Sequence, residues 1–213
     1  MRITLLWLWT ATALAQDALP ACLTRPADTA PKDAVPANTP DAELLARLVH
    51  AEATSTGFPD DPAVHRAIAW GVMNRVRLAD HSEIAAGSYG RGVRGVAFRS
   101  GQFNPAVSPR SPFAEAMLCP SDPGRWAMSA AAAREALGDG PNPFLATAWE
   151  QTHGLSLVVN FYYPRSIQAR GPLAPWESST TLRFLGDLDT PSLDIGAERV
   201  RFYRLTTPPP DVR

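Results

Sequence analysis

A chain of 213 residues with 19% charged and 45% hydrophobic side chains is long enough to bury one sizeable core. Twenty Lys and Arg against 21 Asp and Glu leave a formal net charge of -1. That balance offers no polycationic face for phosphate backbones, so nucleic-acid binding is excluded as a function class. The 21 prolines outnumber the 14 glycines and cluster toward the two ends, which reads as tails around a folded middle.

The N-terminus reads as an export signal, residues 1–15: Arg2 begins it, an apolar run follows from Ile3, and Ala13-Leu14-Ala15 offers a small-x-small cleavage site. The run is short for a spanning helix of about 20 residues, so no membrane span is expected and the processed chain belongs outside the cytoplasm, in the periplasm or secreted. Leu19-Pro20-Ala21-Cys22 also looks like a degenerate lipoprotein box, which would tether Cys22 to a membrane. The alternative for Cys22 is a disulfide with Cys119, the only other cysteine. His50-x-Glu52 matches half of a zinc-deaminase signature, but Cys119-Pro120 lacks the second cysteine it needs; no metal and no cofactor are expected.

Residues 16–38, rich in Ala, Pro, Asp and Thr, read as a flexible linker. The domain is expected over 39–205 and a loose Pro-rich tail over 206–213. Thr39 can cap a first helix with Pro40 at its first position. In that helix Leu44, Leu45, Leu48 and Val49 form one stripe, and Glu52 falls in line with it. A carboxylate there loses hydration and rises in pKa, as a general acid requires, or else it sits at the rim of the stripe and pairs with an arginine. Asp61-Pro62 repeats the cap signal for a helix from about Pro62 to Leu78, with Val64, Ile68, Val72 and Val76 inward and Ala67 and Gly71 allowing close packing.

His81 to Arg94 reads as a loop containing Tyr89, and Val93 to Phe98 as a short strand. Ser100-Gly101-Gln102-Phe103-Asn104-Pro105 is a polar turn that lines a site or, alternatively, plugs the core with its Phe. A third long helix is expected from about Arg125 to Leu137, with a packing surface from Ser129 to Ala133, and strands at Ser156 to Tyr163 and Arg199 to Leu205. Helices first and strands last give the α+β class.

The ordered set LLARLVHAEA (Leu44 to Ala53), IAWGVMNRV, SGQFNPAVSP, an Ala-rich helix, FYYP (Phe161 to Pro164) and IGAERVRFYR resembles the cell wall hydrolase family of spore-cortex-lytic, SleB-like type, over Asp41 to Arg204. The resemblance implies a compact, mainly helical lysozyme-like catalytic domain with a small β-sheet, and carries the family's catalytic acid onto Glu52. It departs from the family in the turn Ala53-Thr54-Ser55-Thr56-Gly57, in Val200 and Arg201 where a His is usual, and in Tyr162-Tyr163-Pro164, which lacks an Asn.

What the resemblance implies is a peptidoglycan-degrading enzyme cleaving between N-acetylmuramic acid and N-acetylglucosamine, as a lytic transglycosylase whose one Glu closes a 1,6-anhydro ring. The alternatives are a muramidase-type hydrolase of the same bond, a non-catalytic peptidoglycan-binding module, and a secreted structural domain. A hydrolase normally needs a second carboxylate, for which Glu177 and Asp187 are the candidates. Gln102 and Asn74 are candidates for hydrogen bonds to acetamido groups, and Phe103, Tyr162, Tyr163 and Trp176 for stacking on sugar faces. Asn74 and Arg75 as inter-helix bridges, and one of the two tyrosines in the core, are the competing expectations.

Overall fold

The computed structural model describes residues 18–138, 140–186 and 195–212. The expected export signal and Asp187 lie outside them. The architecture is α+β. Helices α1 (Pro31–Ala34), α2 (Asp41–Thr56), α3 (Pro62–His81), α4 (Glu83–Tyr89), α5 (Gly92–Ala97), α6 (Asn104–Val107), α7 (Ala114–Leu118), α8 (Pro123–Leu137) and α9 (Ala148–His153) precede strand β1 (Val158–Tyr162). Strands β2 (Leu182–Leu185) and β3 (Arg201–Leu205) follow, and the sheet order is β1-β3-β2, antiparallel throughout.

Three helices make the core: α2, α3 and α8 pack against one another, and β1 lies on α3. The stripe of α2 is fully buried at Leu44, Leu45, Leu48 and Val49. Burial extends around the helix to Ala46, Arg47, His50, Ala51 and Glu52, so α2 is enclosed rather than merely amphipathic. It begins after Pro40, with no side-chain cap from Thr39, and ends at Gly57, whose φ of 85° is the left-handed conformation of a helix stop. Asp61 caps α3 by accepting from the Ala63 N–H at 3.0 Å, with Pro62 in the first turn. Gly71 lets α3 approach the sheet: a Cβ there would lie 2.8 Å from Phe161 Cε1. Helix α8 starts at Pro123, earlier than expected, because Asp122 accepts from the N–H groups of Gly124 and Arg125.

Several expectations need correction. Val93 to Phe98 is not a strand: Val93, Val96 and Ala97 are buried at helical spacing on α5, which packs against α3. Strand β2 has no counterpart in the sequence reading; it exists through pairing with β3. From residue 18 onward the expected linker is a strap fixed to the domain. Arg47, inside the core, donates to the Ala21 carbonyl at 2.8 Å, Leu23 N–H bonds Leu118 O at 3.0 Å, Trp126 Nε1 bonds Ala18 O at 3.1 Å, and Arg94 holds the Val35 carbonyl at 2.8 Å. A disulfide joins Cys22 to Cys119, which leaves no thiol for lipid attachment. The expected loose tail is likewise held, Asp211 accepting from Ser82 Oγ and from the Ile84 N–H. No helix among the described residues is long and apolar enough to cross a membrane.

Candidate active site

Helices α2 and α3, the 101–105 turn, β1 and the loop between β1 and β2 enclose a cleft of about 410 Å³. Glu52 enters it from the C-terminal half of α2. The same alignment that puts Glu52 in the buried stripe leaves its side chain 5% exposed, with that remnant facing the cleft. Burial pushes its carboxyl up to about 7, against smaller opposing effects of the Tyr163 hydroxyl and the Arg75 guanidinium. Near neutral pH a proton is therefore available on a carboxyl that faces a ligand-sized space. Among the described lining residues Glu52 is the sole carboxylate.

Arg75 projects from α3 at the position one turn beyond Gly71 and lines the same cleft. Its Nε donates to the Val159 carbonyl and its Nη1 to Gln102 Oε1 at 2.8 Å. The rings of Phe103 and Phe161 lie 4.8 and 5.0 Å from the guanidinium carbon. Burial draws Arg75 down to about 10, so it stays cationic at neutral pH and favours the ionised form of Glu52 once the proton has left. Tyr163 is buried against Glu52. Its hydroxyl has no well-aligned partner, yet it stands close enough to donate toward the Glu52 carboxylate and lower its pKa. Burial and that carboxylate drive the phenol's own pKa upward.

The structure brings Glu52, Gln102, Tyr162, Tyr163 and Trp176 together in this cleft. Tyr162 turns its hydroxyl away from the centre, donating to the Gly171 carbonyl at 2.8 Å and accepting from the Arg170 N–H at 2.9 Å, which ties down the loop that carries Trp176. Trp176 meets Tyr162 edge-on, its ring centroid 6.1 Å away. Both expected tyrosines reach the cleft, and one of them, Tyr163, also belongs to the buried core, as expected.

Two expected ligand contacts do not lie on the cleft. Phe103 is 1% exposed and packs under the site on Phe161, with 6.0 Å between centroids. Asn74 is as deeply buried; its amide donates to the Val158 carbonyl at 2.9 Å and accepts from Asn142 at 2.8 Å, holding β1 and the segment before α9 to α3. Both of these hydrogen bonds go to the scaffold, which is the bridging role expected as the alternative to ligand contact. Glu177 is also absent from the cleft lining: Arg201 Nη2 donates to it at 2.7 Å and the Tyr203 hydroxyl also donates, and these partners hold its carboxyl below the ordinary range despite partial burial.

Other cleft residues were not expected there: Arg75, read only as an inter-helix bridge, Tyr89, Asn160 and the pair Ser55 and Ser166, whose hydroxyls meet at 3.1 Å. Arg75 carried a usable signal, since it follows Ile68, Gly71 and Val72 by seven, four and three positions on the buried face of α3. His50 belongs elsewhere. It points between α2 and α8, its ring centroid 6.4 Å from that of Trp126, and burial together with His65 draws its pKa down to about 4. Among the described residues no group of three or more His, Cys, Asp or Glu side chains is placed to hold a metal ion.

No protein-family model, no curated protein sequence and no solved structure matches this chain.

Proposed function

We propose that the protein is a peptidoglycan lytic transglycosylase with a lysozyme-like catalytic domain, and that Glu52 is its acid and then its base. The observation that carries this reading is a single buried carboxyl, raised to about 7, facing an open cleft whose described lining holds no second carboxylate. Glu52 donates its proton to the glycosidic oxygen as the C1–O bond of N-acetylmuramic acid breaks, so N-acetylglucosamine leaves as the alcohol. The resulting carboxylate, favoured by Arg75 and Tyr163, takes the proton of the muramic C6 hydroxyl while O6 bonds to C1. The 1,6-anhydro ring closes without water and Glu52 regains its proton. The ordered motif resemblance supplies the substrate class, and the Cys22–Cys119 disulfide supports action in an oxidising compartment outside the cytoplasm.

The test is incubation of the protein and its Glu52→Gln variant with purified sacculi, with soluble products identified by mass spectrometry. Anhydromuropeptides from the wild type alone are expected. Reducing-end products would replace the transglycosylase by a hydrolase, and sedimentation of both proteins with the wall without any release would replace it by a binding module.

A further inference from the structure

We propose that Arg75 and Gln102 give the cleft floor a set of fixed hydrogen-bond donors that selects N-acetylated over N-deacetylated glycan strands, an inference that rests on the peptidoglycan reading above. A guanidinium carries donors and no acceptor, so the Gln102 atom that meets Arg75 Nη1 at 2.8 Å is its carbonyl Oε1. The Gln102 amide NH2 is thereby committed to the rest of the cleft, which this side chain lines. Arg75 itself cannot swing to release Gln102. Its Nε is held by the Val159 carbonyl, and its guanidinium carbon rests 4.8 and 5.0 Å from the ring centroids of Phe103 and Phe161, which pack against each other 6.0 Å apart. No acceptor among the described residues takes Arg75 Nη2, and the residue lines the cleft.

Two NH2 groups, those of the Gln102 amide and Arg75 Nη2, and one fixed positive charge are therefore left for a ligand beside Glu52. An acetamido group answers them with a carbonyl oxygen, a strong acceptor. A free amine on the same sugar carbon is an ammonium at mildly acid pH, with three donors and no acceptor, and it meets both the N–H groups and the charge of Arg75. The one carboxylate in the described lining is Glu52, which must be protonated to act. A site built from committed hydrogen-bonding groups rejects an analogue that leaves them unpaired far more strongly than an apolar pocket does.

The experiment compares initial release of soluble fragments at pH 6 from three substrates: N-acetylated sacculi, the same sacculi after enzymatic N-deacetylation, and the deacetylated sacculi re-acetylated with acetic anhydride. Release from the deacetylated wall is expected to fall on the order of tenfold or more and to recover on re-acetylation. Gln102→Glu keeps the oxygen that Arg75 needs but replaces the NH2 by a second acceptor, so the preference for the acetylated wall should collapse toward unity. Reading a ratio cancels any influence of the new charge on Glu52. Equal release from all three walls, or an unchanged ratio in Gln102→Glu, overturns the inference while leaving the transglycosylase reading intact. If no wall is digested, that reading fails, and calorimetry with the N-acetylglucosamine and glucosamine tetramers decides the donor floor alone: preference for the acetylated tetramer sustains it, and equal or absent binding overturns it.

Discussion

Replacing Glu52 by Gln should stabilise the protein above neutral pH and leave its stability unchanged in acid. Glu52 binds its proton more tightly folded, with a pKa of about 7, than it does unfolded at about 4.5. A raised folded pKa contributes stability that is complete below pH 4.5 and is lost as pH rises through 7. A difference of that size corresponds to roughly 3 kcal/mol at pH 8, where the native state must hold a desolvated carboxylate that the unfolded chain solvates freely. The glutamine side chain has nearly the same shape and no charge, so the Glu52→Gln variant escapes that penalty. Urea unfolding of both proteins with the disulfide intact, at pH 4 and at pH 8, reads the effect as a difference of differences. Changes in His50 and His65 protonation occur in both proteins and cancel. The expected outcome is a Glu52→Gln variant more stable than the wild type by a few kcal/mol at pH 8 and by little at pH 4; a gap that does not depend on pH would refute the placement of a titrating carboxyl in the core.

Tyr163→Phe removes a donor that favours the ionised form of Glu52, so the Glu52 pKa should rise further and the alkaline limb of any acid-dependent activity should move to higher pH. Carboxyl carbon NMR titration reads this directly, and a downward shift would contradict it. Gly71→Ala should destabilise by roughly 1–3 kcal/mol in urea unfolding, because the new methyl lies 2.8 Å from Phe161 Cε1 and the overpacking outweighs the ~1 kcal/mol gain of Ala over Gly within a helix. Glu150→Ala should be worse, about 3–5 kcal/mol by the same measurement. It deprives the N–H groups of Ala146, Thr147 and Leu157 of their acceptor and leaves the buried Arg204 charge uncompensated.

The helices α2 and α3 were legible because apolar periodicity and proline-led starts agree there, and Glu52 was legible because a helix of that period carries it inward. The neighbouring pairs were not. Gln102 and Phe103 are adjacent in one turn, and nothing local says which enters the cleft; Phe103 goes under because Phe161 and Arg75 pack upon it. Asn74 and Arg75 are adjacent on α3 and about 100° apart around it, so one faces the segment before α9 and the other faces Glu52. The strap over 18–38 has few large apolar side chains to give it a period. Its order comes from Arg47, Arg94 and Trp126 reaching its carbonyls, contacts whose partners lie up to 108 residues away. Four residues of β2 were too short a run to be read without β3 beside them.

Burial of the site governs how this protein tolerates change. Glu52 and Arg75, two of the site's groups with shifted acid–base balance, stand on the two most enclosed helices rather than on surface loops, and the scaffold that fixes Arg75 is the same aromatic layer that joins α3 to the sheet. A change that moves Phe161, such as Gly71→Ala, therefore shifts the bed of Arg75, and with it the orientation of the Gln102 amide, without touching the cleft itself. Loss of function and loss of stability should thus go together along α3 but part company at Glu52, where the charge required for the second half of the proposed reaction is the one that burial opposes. The pH 8 stability gain of Glu52→Gln and its loss of activity would be two readings of that one desolvated carboxylate.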